Sequence, residues 1–274
     1  MDKVMEKLEL KIKQRMYKRL EKVHFTNARI LETSTDYSEG SYYIAGNSCN
    51  VDAPHDIDIY PVNMSKFNFK AGSLEKFCNK NDCKVICKTA NAVTIKTPNG
   101  VLQFCNYVKH SLEDLVESFD FAHIKIGVRV GYELDNFNDM SIDTVYLSKD
   151  WLAAKLDESS FYAEPDVQTG YPLSSLLRIN KYIARGNFKG SYKAEVLKIL
   201  IAFLHRGFID YADFKDQLAA VDLLLLEPSE KNAAWLLWLT CCGCGLVKNK
   251  DTHVKSVAEF IVDLERYKEE LQED

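Results

Sequence analysis

Two short groups of residues have the types and spacing of a phosphate and metal site. Gly46, Asn47 and Ser48 form a turn after an apolar run, and Asp56 and Asp58 follow with one isoleucine between them. Because alternate residues of a strand point to opposite faces, both aspartates are expected to project from one face. Two such carboxylates repel each other unless a cation or a proton lies between them. The N–H groups of the turn suit a phosphate, so the pattern indicates nucleotide chemistry with magnesium.

The simplest alternative for this aspartate pair is two exposed acids on an edge strand. The Gly-Asn-Ser turn lies just upstream, and Ile57 and Ile59 fill the apolar positions around the acids. This combination favours the functional interpretation, in which the two acids bind metal and the turn binds phosphate at the start of the following segment. Asp56 and Asp58 are therefore the candidate catalytic and metal-binding residues.

Composition limits the class of protein. The chain has 274 residues, of which 46% are hydrophobic, so it is long enough for one large domain or two ordinary ones. Its net charge of -5 argues against a protein whose main task is to coat nucleic acid. Any contact with nucleic acid is therefore expected to involve a local patch.

The eight cysteines are too few for a disulfide scaffold in a chain of this length. The sequence does not open with a charged segment followed by an apolar one, so we expect a cytoplasmic protein. Its longest apolar run, at residues 233–242, is shorter than the roughly 20 residues of a membrane-spanning helix. No membrane partner is expected.

The first part of the chain combines helix and strand patterns. Apolar residues at three- and four-residue steps predict a helix to about residue 24, and short apolar runs broken by turn residues follow from residue 28 to 61. Pro98-Asn99-Gly100 separates two alternating runs and indicates a β-hairpin. The predicted strands are 41–45, 56–60, 83–89, 92–97, 101–108, 119–128 and 142–147, with helices at 72–79, 111–118 and 151–156. A polar turn is predicted at 131–140.

Beyond residue 164 the strand patterns end. Residues 171–185, 192–205, 211–226, 229–242 and 252–270 each suit a helix, and glycines and a proline lie between them. The sequence predicts an α+β fold with two domains. A mixed β-sheet with flanking helices occupies residues 1–160, and an all-helical domain occupies residues 161–274.

These residues resemble the nucleotidyltransferases of the DNA polymerase beta superfamily. That superfamily has a Gly-Ser turn after a strand, then a strand carrying acid, apolar and acid residues. Gly46-Asn47-Ser48 and Asp56-Ile57-Asp58 are similar to these two motifs. The stretches Val101 to Phe104, Ser118 to Phe121 and Leu177 to Gly186 are similar to nucleotidyltransferase-like proteins of bacteria and their viruses. The resemblance implies a nucleotidyltransferase-like sheet in the first domain.

The resemblance also implies an activity. The protein would be an enzyme that uses Mg²⁺ to transfer a nucleoside monophosphate from a nucleoside triphosphate, with ATP as the first choice, to an acceptor hydroxyl. The acceptor could be RNA, a nucleotide, a small molecule or a protein, and fold does not choose among them. Such enzymes act mainly by positioning the triphosphate and by stabilising charge.

One position departs from the superfamily pattern. A third carboxylate normally lies at the centre of a later strand, where this chain has Gln103, which can offer an oxygen but brings no charge. Asp120, on the next predicted strand, is the first replacement, and Asp143 is the second. Asp120 could equally be a structural residue that caps a turn or pairs with an arginine. The departure leaves open a catalytically silent fold that binds a nucleotide or nucleic acid as a sensor, inhibitor or adaptor.

A basic stripe on a later helix is the remaining candidate for binding. Arg178, Lys181 and Arg185 are spaced so that they share one helix face. A solvated surface is one interpretation. The other, which the resemblance suggests, is that this stripe binds the triphosphate or a polyanionic acceptor.

Overall fold

A mixed sheet of seven strands organises the first part of the chain. The computed structural model describes residues 2–21, 23–50, 56–88, 92–132, 140–163, 170–189, 192–219, 228–249 and 256–273. It divides into two compact units, Met1–Lys155 and Leu156–Asp274. The strands are β1 (Ser41–Ala45), β2 (Ile57–Tyr60), β3 (Lys84–Lys88), β4 (Ala92–Thr97), β5 (Gly100–Cys105), β6 (Ile126–Tyr132) and β7 (Met140–Leu147).

The strand order in this sheet is β3-β4-β5-β2-β1-β6-β7. β2 and β5 are parallel, and the other neighbouring strands are antiparallel. The helices of this unit are α1 (Asp2–Leu20), α2 (His24–Ser34), α3 (Asn47–Asn50), α4 (Ser73–Lys80), α5 (Leu112–Glu117) and α6 (Lys149–Leu156). The predicted α+β class and the predicted hairpin between β4 and β5 are confirmed.

The two faces of the sheet differ in burial. Ile57 and Ile59 on β2 are buried together with Leu102 and Phe104 on β5, in a core that includes apolar residues of α1, α2 and α4. On the opposite face α5 packs over β6, because a Cβ at Gly127 would meet side chains of that helix. Over β2 and β5 the residues of this second face are only half-buried. The polar positions of β2 are therefore accessible.

The prediction of short apolar runs from residue 28 is wrong for the first of these residues, which lie in helix α2. His24, Asn27, Ala28 and Leu31 are all buried, at the i, i+3, i+4 and i+7 spacing of one helix face. Two of the four are polar. The apolar residues alone therefore did not show the helical period.

A second correction concerns the strand predicted at residues 119–128. A 3-10 helix occupies Ala122–Ile124, and β6 begins only at Ile126. Asp120 thus precedes the 3-10 helix and does not lie on a strand. Every residue from 120 to 126 is buried, so the alternation in the sequence did not correspond to two faces of a sheet.

The second unit contains the predicted C-terminal helices. They are α7 (Pro172–Ala184), α8 (Lys193–Arg206), α9 (Tyr211–Ala219), α10 (Pro228–Gly243) and α11 (Val257–Glu273). Phe208, Phe214 and Trp238 lie in its core. The predicted turn at 131–140 and the predicted helices at 211–226 and 252–270 lie partly outside the described residues.

A buried ion pair joins two segments of this second unit. The guanidinium of Arg206 donates two hydrogen bonds to the carboxylate of Asp213, at 2.7 and 2.9 Å. Burial by itself would raise the pKa of Asp213, but the bonds from Arg206 and from the Ile209 N–H hold that pKa below its usual value. The carboxylate is therefore kept charged, as a bidentate pair requires.

A buried polar contact joins α2 to the sheet. His24 Nδ1 lies 2.9 Å from the hydroxyl of Tyr42, and the rings of Tyr42 and Tyr132 pack around the imidazole. Burial lowers the pKa of His24 from 6.5 to about 4. The folded chain therefore keeps this histidine neutral over a pH range in which the unfolded chain protonates it.

This difference makes stability depend on pH. The depressed pKa of His24 means that the unfolded chain binds one more proton between about pH 6.5 and pH 4. The contribution of His24 to folding is present above that range and falls by about 1.4 kcal/mol per pH unit within it. The wild type is expected to lose unfolding free energy between pH 7 and pH 5. Roughly 2 kcal/mol of that loss should be absent in His24→Gln, measured by urea denaturation at both pH values. The exposed His110, changed to Gln, is the control and should leave the pH dependence as in the wild type.

Candidate functional site

The two aspartates lie at one point of the accessible sheet face. Asp58 is on β2, and Asp56 immediately precedes that strand; both are half-buried, whereas Ile57 and Ile59 are buried. The charges of both carboxylates act on the Cys105 thiol on the neighbouring strand β5. The two acids therefore project on the same side, as the alternation predicts.

Ser48 joins the turn to the acid-bearing strand. Its side chain is fully buried, and its Oγ accepts a hydrogen bond of 2.9 Å from the Asp58 N–H. The same hydroxyl lies 3.4 Å from Asp58 Oδ2 and 3.4 Å from the Asp56 carbonyl oxygen. This hydroxyl thus contacts the backbone of Asp56 and both the backbone and the carboxylate of Asp58. Its role in binding phosphate stays a prediction.

The first residue of the turn has a backbone conformation that only glycine adopts easily. Gly46 has φ +76°, in the left-handed region, and its N–H donates to the carbonyl of Ile126 on β6 at 2.9 Å. Asn47 then begins the single-turn helix α3. Its Oδ1 is buried and accepts no hydrogen bond from the described residues. That oxygen is an unused acceptor beside the turn.

Basic residues of α1 hold the end of α3. Arg15 Nη1 donates to the Asn50 carbonyl at 3.0 Å, and Arg19 Nη1 donates to the Ser48 carbonyl. The indole N–H of Trp151, on α6, donates to Asn50 Oδ1 at 3.2 Å. The carbonyl end of a helix attracts positive charge, so the two arginines stabilise this short helix. No local pattern in the sequence predicts these contacts.

Gln103 lies directly beside Asp58. The parallel register of β2 and β5 pairs these two residues, and β4 places Thr94 on the other side of the glutamine. Gln103 Nε2 donates to Thr94 Oγ1 at 3.1 Å, and the Cys105 Sγ lies 3.8 Å from Gln103 Oε1. The amide is thereby oriented with its oxygen on the Cys105 side. Where the superfamily pattern has a third acid, this chain has a fixed, neutral side chain.

Cys105 is a site residue that the sequence reasoning missed. Burial, and then the negative charges of Asp58 and Asp56, raise the pKa of its thiol well above the usual value. The thiol therefore stays protonated beside the two carboxylates. Its position two residues after Gln103, on the same face of β5, was the signal available in the sequence.

The two candidates for a third acid lie in different places. Asp120 is buried in the segment before the 3-10 helix, which packs against α3. Asp143 is exposed on β7, and strands β1 and β6 separate β7 from β2. Asp143 is thus remote from Asp58 in the sheet. The proposed catalytic role of Asp120 stays a prediction.

The donor set suits magnesium bound together with phosphate. Within the described ranges, no group of three or more His, Cys, Asp or Glu side chains is arranged to hold a metal ion. Mg²⁺ needs fewer, because it commonly takes one or two carboxylates and completes its shell with substrate phosphates and water. Asp56 and Asp58, with Gln103 beside them, supply hard oxygen ligands of this kind.

Two residues of the predicted basic stripe, Arg178 and Lys181, lie on α7 in the second unit, and Arg185 directly follows the last residue of that helix. Arg178 is half-buried and its Nε lies 3.4 Å from the Ser174 carbonyl, whereas Lys181 and Arg185 are exposed. The role of the basic stripe in binding triphosphate stays a prediction.

None of the eight cysteines forms a disulfide. In the part of the chain that the structure describes, no helix has the length and apolar character to cross a membrane.

The Ser48 contact predicts a measurable cost of mutation. Ser48→Ala removes the hydrogen-bond acceptor of the half-buried Asp58 N–H, and a donor left unsatisfied there costs about 1 kcal/mol, the lower end of the range for buried donors. We expect the free energy of unfolding, measured in urea, to fall by that amount. Ser73→Ala, at the first residue of α4, is the control and should change it by less than about 0.5 kcal/mol. Equal values for the two variants would contradict the role given to Ser48.

Comparison with known proteins gives weak structural likenesses. No protein-family model matches the chain, and no curated protein matches it. A solved tRNA-processing enzyme in an apo form is 14% identical, with 86% of this chain and 60% of that chain covered and a TM-score of 0.43. A tRNA-processing enzyme with CTP is 14% identical, with 79% and 57% covered and a TM-score of 0.39. A CCA-adding enzyme of Thermotoga maritima complexed with tRNA is 10% identical, with 91% and 49% covered and a TM-score of 0.37. This chain therefore spans about 60% or less of the length of these proteins.

Proposed function

We propose that this protein is a magnesium-dependent nucleotidyltransferase. It would move a nucleoside monophosphate from a nucleoside triphosphate, with ATP as the first candidate, to a hydroxyl of RNA, a nucleotide, a small molecule or a protein. The observation that carries the proposal is the contact of Ser48 with Asp58, which joins a Gly-Asn-Ser turn to an acid-bearing strand. The cytoplasmic location expected from the sequence is part of this proposal.

The acids and the turn have separate roles in this reaction. Asp56 and Asp58 would hold Mg²⁺, which supplies positive charge against the triphosphate when it is bound. Asn47 and Ser48 would bind the outer phosphates through the backbone N–H groups of the turn, and Gly46, whose own N–H donates to Ile126, would contribute the left-handed conformation that shapes this phosphate site. The hydrogen bonds of Ser48 fix both groups before substrate arrives, and such fixed positioning is a large part of catalysis of phosphoryl transfer.

The transfer step conserves atoms and charge. The acceptor hydroxyl oxygen attacks the α-phosphorus, the bond from that phosphorus to the bridging oxygen breaks, and pyrophosphate leaves with the electron pair. The hydroxyl proton passes to a carboxylate of the site or to water. Asp120 is proposed as the further catalytic carboxylate. Arg178, Lys181 and Arg185 are proposed to bind the triphosphate.

Asp58→Asn tests the metal role. It keeps the size of the side chain but removes the charge, so we expect the transfer of labelled nucleoside monophosphate from ATP to total cell RNA or extract to fall by more than about 100-fold. Stabilisation by ATP with Mg²⁺, which reaches about 2.7 kcal/mol at a hundredfold excess over Kd, should also be lost. Asp36→Asn, which changes an exposed acid of the same unit, is the control. Equal labelling by wild type and Asp58→Asn would exclude the proposed metal site.

A second candidate function is a silent fold that binds nucleotide without transfer. The specific observation in its favour is the pairing of Asp58 with Gln103, because a neutral amide lies where a third carboxylate would complete the site. Such a protein would act as a sensor, inhibitor or adaptor. It would bind nucleotide through the turn and the two acids, yet leave the triphosphate intact.

Gln103→Glu separates these two functions. The substitution keeps the length of the side chain and adds a charge beside Asp58, so we expect Mn²⁺, used as a probe for Mg²⁺, to bind about tenfold more tightly. Gln14→Glu adds the same charge at an exposed position of α1 and should leave Mn²⁺ affinity unchanged. If only Gln103→Glu transfers nucleotide, the silent fold is supported. Transfer by the wild type supports the enzyme.

A further inference from the structure

One segment of this acidic protein is strongly basic. Residues 66–96 contain seven lysines and two acidic residues, a net charge of +5. The whole chain carries -5, so the remaining residues together carry -10. A basic segment in a chain of opposite overall charge is the electrostatic footprint expected of a local site for a polyanion.

The structure gathers five of these lysines at the β3 edge of the sheet. We call them the lysine edge: Lys76 and Lys80 on α4, Lys84 and Lys88 on β3, and Lys96 on β4. Four are exposed, and Lys88 is half-buried. Within the described residues, none of the five forms an ion pair with a carboxylate. Their positive charge is therefore not neutralised by ion pairs.

Two members of the lysine edge face each other directly. Lys84 and Lys96 are cross-strand partners in the antiparallel pair of β3 and β4. Like charges directly opposite each other in a sheet are unfavourable, by an amount on the order of 0.2–1 kcal/mol. Within the described residues, neither ammonium group forms an ion pair that would offset this repulsion. An anion placed between or above the two ammonium groups would do so.

Protection of the sheet edge is the alternative explanation. Lysines on an edge strand discourage pairing with another chain, and β3 is an edge strand. This explanation suits Lys84. It does not account for Lys96, because that residue lies on the inner strand β4. Solubility alone does not account for the group either, because surfaces that serve only solubility usually intersperse both signs of charge.

The lysine pair lies on the same face of the sheet as the acids. The strands pair Thr94 with Gln103 and Gln103 with Asp58, and Lys96 is two residues beyond Thr94 on the same face of β4. From ordinary strand and residue spacings, Lys96 is about 12 Å from Asp58 along that face. A chain of phosphates crossing this face would contact Lys84 and Lys96 while one of its ends is near the acids. Lys88, the cross-strand partner of the buried Val93, lies on the other face of the sheet, so only a chain that also passes around the β3 edge would reach it.

We propose that the lysine edge binds the sugar-phosphate backbone of an RNA. Its lysines would act as point charges on the phosphates, without reading sequence, and so would bring a terminal hydroxyl toward Asp56 and Asp58. That the bound RNA is the acceptor rests on the proposed function. The binding of RNA itself needs neither metal nor nucleotide.

Binding is measured on the full chain without metal or nucleotide, by fluorescence anisotropy of a labelled single-stranded RNA of about 15 nucleotides. Lys84→Gln/Lys96→Gln is expected to weaken binding about tenfold. It should also reduce the slope of log K against log salt by about 1.4, because each lost phosphate contact contributes about 0.7. Lys149→Gln/Lys155→Gln on α6 removes the same charge at exposed positions and should change affinity by less than about twofold.

Three results would overturn the proposal. They are equal weakening by the two double variants, an unchanged salt slope in Lys84→Gln/Lys96→Gln, and binding of the wild type to phosphatidylserine vesicles but not to the RNA. Self-association of Lys84→Gln/Lys96→Gln in gel filtration, with RNA affinity retained, would assign these lysines to edge protection instead. Circular dichroism and the melting temperature establish that the variants are folded.

Asp58→Asn distinguishes this proposal from the proposed function. It should lose ATP binding with Mg²⁺ and keep the affinity for RNA. If the wild type binds RNA through the lysine edge but neither binds nor transfers nucleotide, the lysine edge stands and the nucleotidyltransferase proposal fails. If nucleotide is transferred while the two double variants bind RNA equally, only the lysine edge is refuted.

Discussion

The site depends on one buried hydroxyl group. Ser48 follows the turn after β1, and its Oγ accepts the N–H of Asp58 on the next strand. A serine with no exposed surface has no water to bond, so this partner must be kept for the fold to be stable. The hydrogen bond therefore fixes where β2 begins relative to the turn. The spacing between the turn and the two carboxylates follows from it.

The elements around Ser48 extend this constraint to the rest of the first unit. Arg15 and Arg19 on α1 bond the carbonyl end of α3, and Trp151 on α6 bonds Asn50 in the same helix. Two helices distant in sequence thus hold a helix of four residues that would not be stable alone. Because these contacts come from rigid elements, the turn and the acids are positioned by the fold and not by a loop alone.

Much of this arrangement could be predicted from local sequence. In the strands around the acids, apolar and polar residues alternate, and turn residues mark the hairpin at Pro98-Asn99-Gly100. These two patterns predict the bounds of the elements within a few positions. Helix α2 and the 3-10 helix could not be predicted in this way, because polar residues such as His24 and Asp120 are buried with apolar ones there. The contacts of Arg15 and the facing of Lys84 with Lys96 join distant residues, so they require the tertiary structure.

The neutral residue beside Asp58 has a consequence for the protein without metal. Three carboxylates on adjacent strands would repel one another. This repulsion would destabilise the pairing of β2 with β5, which are the parallel pair of the sheet. Gln103 removes one charge, and its bond to Thr94 satisfies the amide within the sheet. Burial and the negative charges of the two acids also keep Cys105 protonated, so no further negative charge forms there. In the proposed function only Asp56 and Asp58 would then need a cation, and a nucleotide that brings its own magnesium would supply one at the moment of binding.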